Sequence, residues 1–235
     1  MIPLDTPGPW HRATFVQRPN RFVVHARLDD SGQEVRTHLP DPGRLEELMV
    51  PGRTVWLKPA DTPRKTAWSC IYVETADGEL VCCDTRRPNK LIERSLKAGA
   101  IDELAGWDFV RAEATWGSSR FDFLLQRGAT RLYLEVKGVS WVEGHVARFP
   151  DAVTARGARH LLELSSIART PDLEGAALFL LQRSTDVTRI EAAGDRDPAF
   201  ADALAAAREA GVRILGRSTH LTLNRTILGE AVEVR

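Results

Sequence analysis

Two carboxylates and a lysine lie in two neighbouring apolar segments near the middle of the chain. Asp122 is in the run 119–125, and Glu135 and Lys137 close the run 131–137, with a five-residue loop between the runs. Both runs alternate as β-strands do, and side chains two positions apart on a strand share a face, so Glu135 and Lys137 project together. If the two runs pair as a hairpin, Asp122 falls on that face near Glu135.

These side chains are suited to phosphodiester hydrolysis. Two carboxylate oxygens can hold a hard divalent cation such as Mg²⁺ and leave positions for water and a phosphate oxygen. A neighbouring lysine can orient the attacking water and stabilise the charge that develops during in-line displacement. The pattern Asp, turn, Glu-x-Lys is typical of the PD-(D/E)xK nuclease superfamily. It also occurs by chance, and the alternative is that the three residues form the solvated face of an ordinary hairpin.

The segments around these residues predict strands mixed with helices. Pro88 is placed to begin a helix that ends before Gly99, and Asp151 is placed to cap a helix that reaches residue 168. Asp197 and Pro198 predict the start of a last helix. The predicted strands are 109–115, 120–125, 132–137, 175–182 and 212–215. The order β, β, β, α, β, α, β places the candidate residues in an antiparallel meander inside a mixed α/β domain.

The first part of the chain carries short apolar stretches separated by Gly, Pro and Asp. They cover 21–28, 34–39, 54–57, 68–74 and 80–83, with a single helical turn predicted over 44–49. Asp77-Gly78 predicts a tight hairpin between the last two stretches. This spacing favours a small β-barrel or sandwich. We therefore predict a first domain over 1–84 and a second over 85–235.

Composition excludes several classes of protein. The chain has 235 residues, with 32 Lys plus Arg against 32 Asp plus Glu, so it is not a uniformly basic nucleic-acid binder. Its three cysteines include the neighbours Cys82 and Cys83, which argues against a disulfide framework or a CxxC zinc site. No apolar run reaches the roughly 18 residues of a membrane span, and no signal peptide is evident. We expect a cytoplasmic protein without a membrane partner.

Five segments, in order along the chain, resemble the sugar fermentation stimulation protein A (SfsA) family. They are Arg36-Thr37-His38-Leu39-Pro40-Asp41-Pro42-Gly43-Arg44-Leu45, Asp84-Thr85-Arg86-Arg87-Pro88-Asn89, Gly117-Ser118-Ser119-Arg120-Phe121-Asp122-Phe123-Leu124-Leu125, Glu135-Val136-Lys137 and Phe149-Pro150-Asp151-Ala152-Val153-Thr154-Ala155-Arg156-Gly157. The resemblance implies an α+β or α/β chain: an N-terminal OB-like β-barrel, then a PD-(D/E)xK nuclease-like mixed-sheet domain flanked by helices. Members are described as DNA-binding proteins or as DNA/RNA nucleases.

The resemblance also implies roles for individual residues. Asp122 and Glu135 are then metal ligands, and Lys137 completes the catalytic set, with Mg²⁺ or Mn²⁺ as the cofactor. Glu93, on the helix before the strands, could add a third metal ligand or be a solvated charge. Glu113 has the same two interpretations, and Asp151 is either a helix cap or a site residue.

The chain departs from the family pattern at two places. It has Pro40-Asp41-Pro42-Gly43 where members usually have Pro-Asn-Thr-Gly, which weakens the case for nucleic-acid contact by that loop. It has Gly138 where members usually have Asn or Ser after the lysine. The lost polar side chain puts the fine positioning of substrate in doubt.

Clustered basic side chains would supply the phosphate contacts of a nucleic-acid site. The candidates are Arg36, Arg44, Arg86, Arg87, Lys90, Arg120, Arg156 and Arg159. Each has the alternative of simply solvating the surface. Phe22, Trp56 and Trp68 could stack on bases, although we expect them in the barrel core.

The leading hypothesis is a metal-dependent nuclease that hydrolyses phosphodiester bonds of DNA or RNA, with the barrel binding the nucleic acid. The alternative is a non-catalytic DNA-binding protein that regulates genes of sugar metabolism. A third interpretation, a protein-interaction module, predicts no nucleic-acid binding at any salt concentration. The sequence leaves open whether the chain forms a homodimer.

Overall fold

The computed structural model describes residues 2–60, 62 and 65–235. Strand β1 (Pro3–Asp5) is followed by β2 (His11–Asn20), β3 (Val23–Leu28), β4 (Glu34–His38), β5 (Thr54–Pro59), β6 (Trp68–Glu74) and β7 (Leu80–Cys82). Strands β2 to β6 pair in the order β4-β3-β2-β5-β6, and a parallel pairing of β4 with β6 closes them into a five-stranded barrel. The predicted N-terminal OB-like barrel is confirmed.

Alternating side chains fill the barrel. Ala13, Val24 and Val55 are completely buried in its core. Trp68 packs against this core, whereas Phe22 is 48% exposed, so the expectation that Phe22 is a core residue is wrong. Phe22 lies in the turn between β2 and β3, where its side chain has no barrel strand to cover it.

The second part of the chain is a mixed sheet with three α-helices. Its elements are α1 (Arg86–Lys97), a 3-10 turn (Asp102–Leu104), β8 (Asp108–Trp116), β9 (Ser119–Arg127), β10 (Thr130–Val139), β11 (Trp141–Glu143), β12 (Val146–Phe149), α2 (Ala155–Ala168), β13 (Leu173–Leu181), β14 (Arg189–Ala192), α3 (Pro198–Glu209), β15 (Arg213–Leu221), β16 (Arg225–Ala231) and β17 (Glu233–Val234). The main sheet has the order β1-β16-β15-β13-β10-β9-β8, and a smaller sheet has the order β11-β12-β14-β17. The predicted meander β8-β9-β10 is antiparallel, and β13 then pairs parallel to β10.

The two faces of β10 pack against different helices, as its alternation predicts. Leu132, Leu134 and Val136 lie in one cluster with residues of α1, whereas Tyr133 lies in another with residues of α2 and α3. Glu135 therefore points to the α2 face from within a buried sheet. Apolar side chains of β10 are thus packed into a layer on each face of the sheet. This packing gives the candidate site a rigid support.

Three sequence predictions need correction. Strand β1, assigned to the first domain, pairs with β16 of the main sheet, because the chain crosses to that sheet edge before entering the barrel. Helix α1 begins at Arg86, so Pro88 is its third residue. Thr154, and not Asp151, caps α2, because its hydroxyl accepts from the backbone N–H of Gly157 at 3.1 Å. The Asp197 cap on α3 is confirmed by its bond from the Phe200 N–H at 3.1 Å.

No helix in the described part of the chain is long and apolar enough to cross a membrane.

Candidate active site

The candidate site lies where β9 and β10 separate. Their pairing runs from Thr130 opposite Arg127 to Leu134 opposite Phe123, and Asp122 comes one residue beyond it. Beyond the last backbone pair, the Asp122 side chain hydrogen-bonds to β10 in place of the backbone: its Oδ2 accepts from the Val136 N–H at 2.7 Å. The strand geometry thus aims the Asp122 side chain at β10, beside Glu135.

Glu135 is the most enclosed of the three residues. It is 5% exposed, and its Oε1 accepts from the Lys137 Nζ at 2.6 Å and from the His160 Nδ1 at 2.7 Å. Burial raises the pKa of Glu135, but the His160 hydrogen bond and the Lys137 charge outweigh it and bring the pKa below its usual value. A buried carboxylate is therefore held in its ionised form.

The second oxygen of the Glu135 carboxylate has no hydrogen-bond partner among the described residues. This atom, Oε2, is buried. An ionised carboxylate oxygen without a partner in a buried position is costly, and such an atom calls for an explanation such as an absent ion. This oxygen is therefore the first candidate for a ligand contact.

Asp122 has different surroundings. Its Oδ1 accepts from the Asn89 Nδ2 of α1 at 2.6 Å. Burial, together with the nearby Glu135 charge, raises the pKa of Asp122 to about 6. The two carboxylates therefore oppose one another electrostatically, and a cation between them would relieve that repulsion.

The structure does not bring Glu93 into this site as a third ligand. Glu93 forms an ion pair with Lys97 one turn along α1, at 2.6 Å. Among the described residues, no group of three or more His, Cys, Asp or Glu side chains is arranged to hold a metal. Glu113 likewise pairs with Arg120 at 2.6 Å on the exposed edge strand β8. The candidate metal ligands are thus the pair Asp122 and Glu135.

The predicted nucleic-acid contacts divide into engaged and available side chains. Arg86 is bound through both ends of its guanidinium to Asp84 at 2.8 Å, and Arg87 donates to Thr226 at 3.0 Å. Three further arginines form ion pairs, namely Arg44 with Glu46 at 3.5 Å, Arg120 with Glu113 at 2.6 Å and Arg159 with Glu163 at 3.8 Å. Arg36, Lys90 and Arg156 are exposed. These last three are the basic candidates best placed to meet phosphate.

Sequence reasoning missed two residues of the site. His160 is 1% exposed and lies 25 positions after its partner Glu135, while Asn89 lies 33 positions before Asp122. The one signal for His160 is a polar residue within the apolar stripe of α2. Asn89 gave no signal of its own, because a polar residue in the first turn of a helix is ordinary.

Asp151 has a role at the junction of the two domains. Its Oδ2 accepts from the Leu45 N–H of the barrel at 3.2 Å. On the barrel side, Asp41 accepts from the Gly43 N–H at 2.8 Å, and burial raises the pKa of Asp41 to about 6. The loop 41–45 is thereby held against the segment that leads into α2, close to Gly138 on β10.

Comparison with known proteins assigns the chain to a family. Residues 16–83 match the model described as the SfsA N-terminal OB domain, and residues 86–225 match the one described as the sugar fermentation stimulation protein RE domain. The chain belongs to the SfsA family. A sugar fermentation stimulation protein homolog of Shouchella clausii is 42% identical over 227 residues, covering 96% of this chain and 97% of that protein. A homolog of Dinoroseobacter shibae is also 42% identical, over 231 residues, with 94% and 92% covered.

The fold of this SfsA family member also matches a solved structure. The structure of Pyrococcus furiosus SfsA in complex with Ca²⁺ superimposes with a TM-score of 0.88 at 29% identity, covering 99% of this chain and 98% of that one. The barrel followed by the mixed-sheet domain is therefore the shared architecture of the two proteins.

Proposed function

We propose that this protein is a metal-dependent nuclease that hydrolyses phosphodiester bonds of DNA, with RNA as a second substrate. The observation that carries the proposal is Glu135: a buried, ionised carboxylate that is fixed by Lys137 and His160 and has one oxygen without a partner. A structural ion pair would be expected to satisfy both oxygens, because an unsatisfied buried acceptor costs stability.

The residues present fit a divalent cation such as Mg²⁺ or Mn²⁺. The unpartnered Glu135 Oε2 and the neighbouring Asp122 carboxylate provide a hard, all-oxygen donor set. Mg²⁺ commonly binds through one or two carboxylates and keeps several waters, so a third protein carboxylate is not required. The Ca²⁺ reported with the Pyrococcus furiosus protein supports divalent-cation binding in the family. When bound, the cation would supply Lewis acidity to a phosphate oxygen and lower the pKa of a bound water.

The chain's own residues would position the reaction. Lys137 keeps its ammonium 2.6 Å from Glu135, where it can donate to an attacking water and to a phosphate oxygen that gains charge. His160 of α2 fixes Glu135 by a hydrogen bond, and Asn89 of α1 fixes Asp122 in the same way. Preorganised donors of this kind do not have to reorient during the reaction.

Exposed basic side chains are available to bind nucleic acid as the substrate. Arg36 on the barrel, Lys90 on α1 and Arg156 at the start of α2 are exposed. Phosphate contacts from such side chains do not read sequence, but they hold a strand in register. A DNA-binding regulator without catalysis would use the same surface, so the test must separate binding from cutting.

The test is a nuclease assay on single-stranded DNA, duplex DNA and RNA with Mg²⁺, Mn²⁺ or EDTA. We expect metal-dependent cutting that falls at least about 100-fold in Glu135→Gln and in Lys137→Met. Glu209→Gln, an exposed change on α3, is the matched control and should cut as the wild type does. If no form cuts any substrate while salt-sensitive DNA binding persists in all of them, the nuclease proposal fails and the regulator remains.

A further inference from the structure

A cleft opens between the two domains beside the candidate catalytic strand. It has a volume of about 500 Å³ and is bounded by the barrel loop 41–44 on one side and by residues 149–154 on the other. Cavities of this size can hold a small organic ligand. Gly138, the residue after Lys137, and Gln182 also line it. A ligand group in the cleft would therefore contact β10 at the residue that follows Lys137.

Gln182 lines the cleft and is rigidly held there. Its backbone N–H donates to the Val139 carbonyl at 2.8 Å, and its carbonyl accepts from the Cys82 N–H of the barrel at 2.8 Å. The side chain, in contrast to the backbone, is not fully hydrogen-bonded. The residue is 6% exposed, and its Oε1 is buried with no hydrogen-bond partner among the described residues. A carboxamide oxygen that is buried and unsatisfied in this way is poised for a ligand.

Gly138 explains how the Gln182 carboxamide fits against β10. A Cβ at position 138 would come 2.5 Å from the Gln182 Nε2 and 2.9 Å from its Cδ. The amide therefore fills the space that any other residue at 138 would need for its side chain. Glycine at this position leaves room for the Gln182 carboxamide against the backbone of β10.

The chemistry of the cleft favours a nucleobase over a phosphate. A carboxamide offers a donor and an acceptor together, which matches the edge of a base, whereas a phosphate presents acceptors only. Asp41 and Asp151 line the same cleft and would repel a phosphate placed among them. Arg21 also lines the cleft and is exposed, so its side chain can meet the backbone of the same nucleotide.

We propose that this cleft binds one unpaired nucleotide of the strand, with the Gln182 carboxamide hydrogen-bonding its base. The proposal rests on the proposed nuclease function and specifies its substrate as single-stranded or locally unpaired nucleic acid. A base within a duplex has its Watson–Crick edge occupied, so it must leave the stack before it can enter such a cleft.

The test is the affinity for a fluorescein-labelled ten-residue oligothymidylate, measured by anisotropy in EDTA so that no strand is cut. The full-length wild type is compared with Gln182→Leu, which keeps the volume and removes both polar atoms, and with Gln126→Leu, a matched change at an exposed position on β9. We expect about tenfold weaker binding for Gln182→Leu and no change for Gln126→Leu. Unfolding midpoints close to that of the wild type would show that the variants are folded.

Two further arms test the base contact itself. Gly138→Ala should weaken binding in the same direction, because its methyl group would displace the carboxamide. An oligonucleotide of the same length with abasic residues should bind the wild type about tenfold more weakly, and Gln182→Leu should bind both ligands equally. Equal affinity of the wild type and Gln182→Leu for the thymidylate, or equal affinity of the wild type for both ligands, would overturn the proposal.

The outcomes keep the two proposals apart. Because binding is measured in EDTA, it does not depend on turnover at Glu135 and Lys137. Binding that depends on Gln182, in a protein that cuts nothing, would support the nucleotide cleft and remove the nuclease function. If cutting depends on Glu135 but binding does not depend on Gln182, the nuclease function is supported and the nucleotide cleft is ruled out.

Discussion

Replacing His160 by alanine should destabilise the protein strongly, because the imidazole is buried and holds a charged partner. The ring is 1% exposed, and its Nδ1 donates to the ionised Glu135 at 2.7 Å. A lost hydrogen bond to a charged group costs about 2 kcal/mol, and the emptied volume in the core costs about 2 kcal/mol more. We therefore expect His160→Ala to lower the free energy of unfolding by about 4 kcal/mol, and the melting temperature by about 10 °C.

Urea denaturation of the His160→Ala variant measures this change, with His220→Ala as the control. His220 is an exposed histidine on β15, and its removal should change the free energy of unfolding by less than about 0.5 kcal/mol. Combining His160→Ala with Glu135→Gln in a double-mutant cycle should give a coupling energy of at least about 1 kcal/mol. A loss below about 1 kcal/mol for His160→Ala, or no coupling, would refute the idea that His160 fixes Glu135.

Three further predictions concern buried groups elsewhere. Burial raises the folded-state pKa of Asp41 from 3.8 to about 6, so this group favours folding at low pH and loses that contribution as the pH rises from about 4 through 6. Asp41→Asn should remove that pH dependence and raise the free energy of unfolding at pH 7.5 by about 2 kcal/mol in urea titrations, whereas Asp202→Asn, an exposed change, should leave it unaltered. Asp197→Ala should lower the free energy of unfolding by about 2 kcal/mol in the same assay, because Asp197 accepts from both the Phe200 and the Thr154 N–H groups. A smaller loss than that of the control Asp202→Ala would contradict the capping role. A thiol reagent at pH 8 should find no reactive cysteine in the native protein and three in denaturant, because burial raises the pKa of each thiol, and rapid native labelling would contradict this; the thiols are Cys70, Cys82 and Cys83.

Strands of regular alternation were predictable, and irregular or very short ones were not. The strands β8, β9 and β10 were found from their alternation, to within a few residues at each end. The ten-residue strand β2 was missed, because Arg12, which is exposed, and Arg18, which is half-buried, interrupt its apolar pattern. The small sheet was missed as a unit, since its strands of two to four residues carry too few alternations to detect.

The sequence by itself determined how the candidate residues Glu135 and Lys137 are paired. The spacing of Glu135 and Lys137 places them on one strand face, because alternation along a strand follows from backbone geometry alone, and their 2.6 Å contact agrees with it. The same holds for Asp197, whose capping bond depends only on the three residues that follow it.

The tertiary structure decided what surrounds that chemistry. His160 and Asn89 reach the site from α2 and α1, and Gln182 lines the neighbouring cleft at the end of β13. No local pattern relates them to Asp122 or Glu135. Their positions follow from how helices and strands pack, which depends on the shapes of many side chains at once. The local sequence places Glu135 and Lys137 on one strand face. Glu135 is buried, ionised and left with one unpartnered oxygen only because distant elements pack around it.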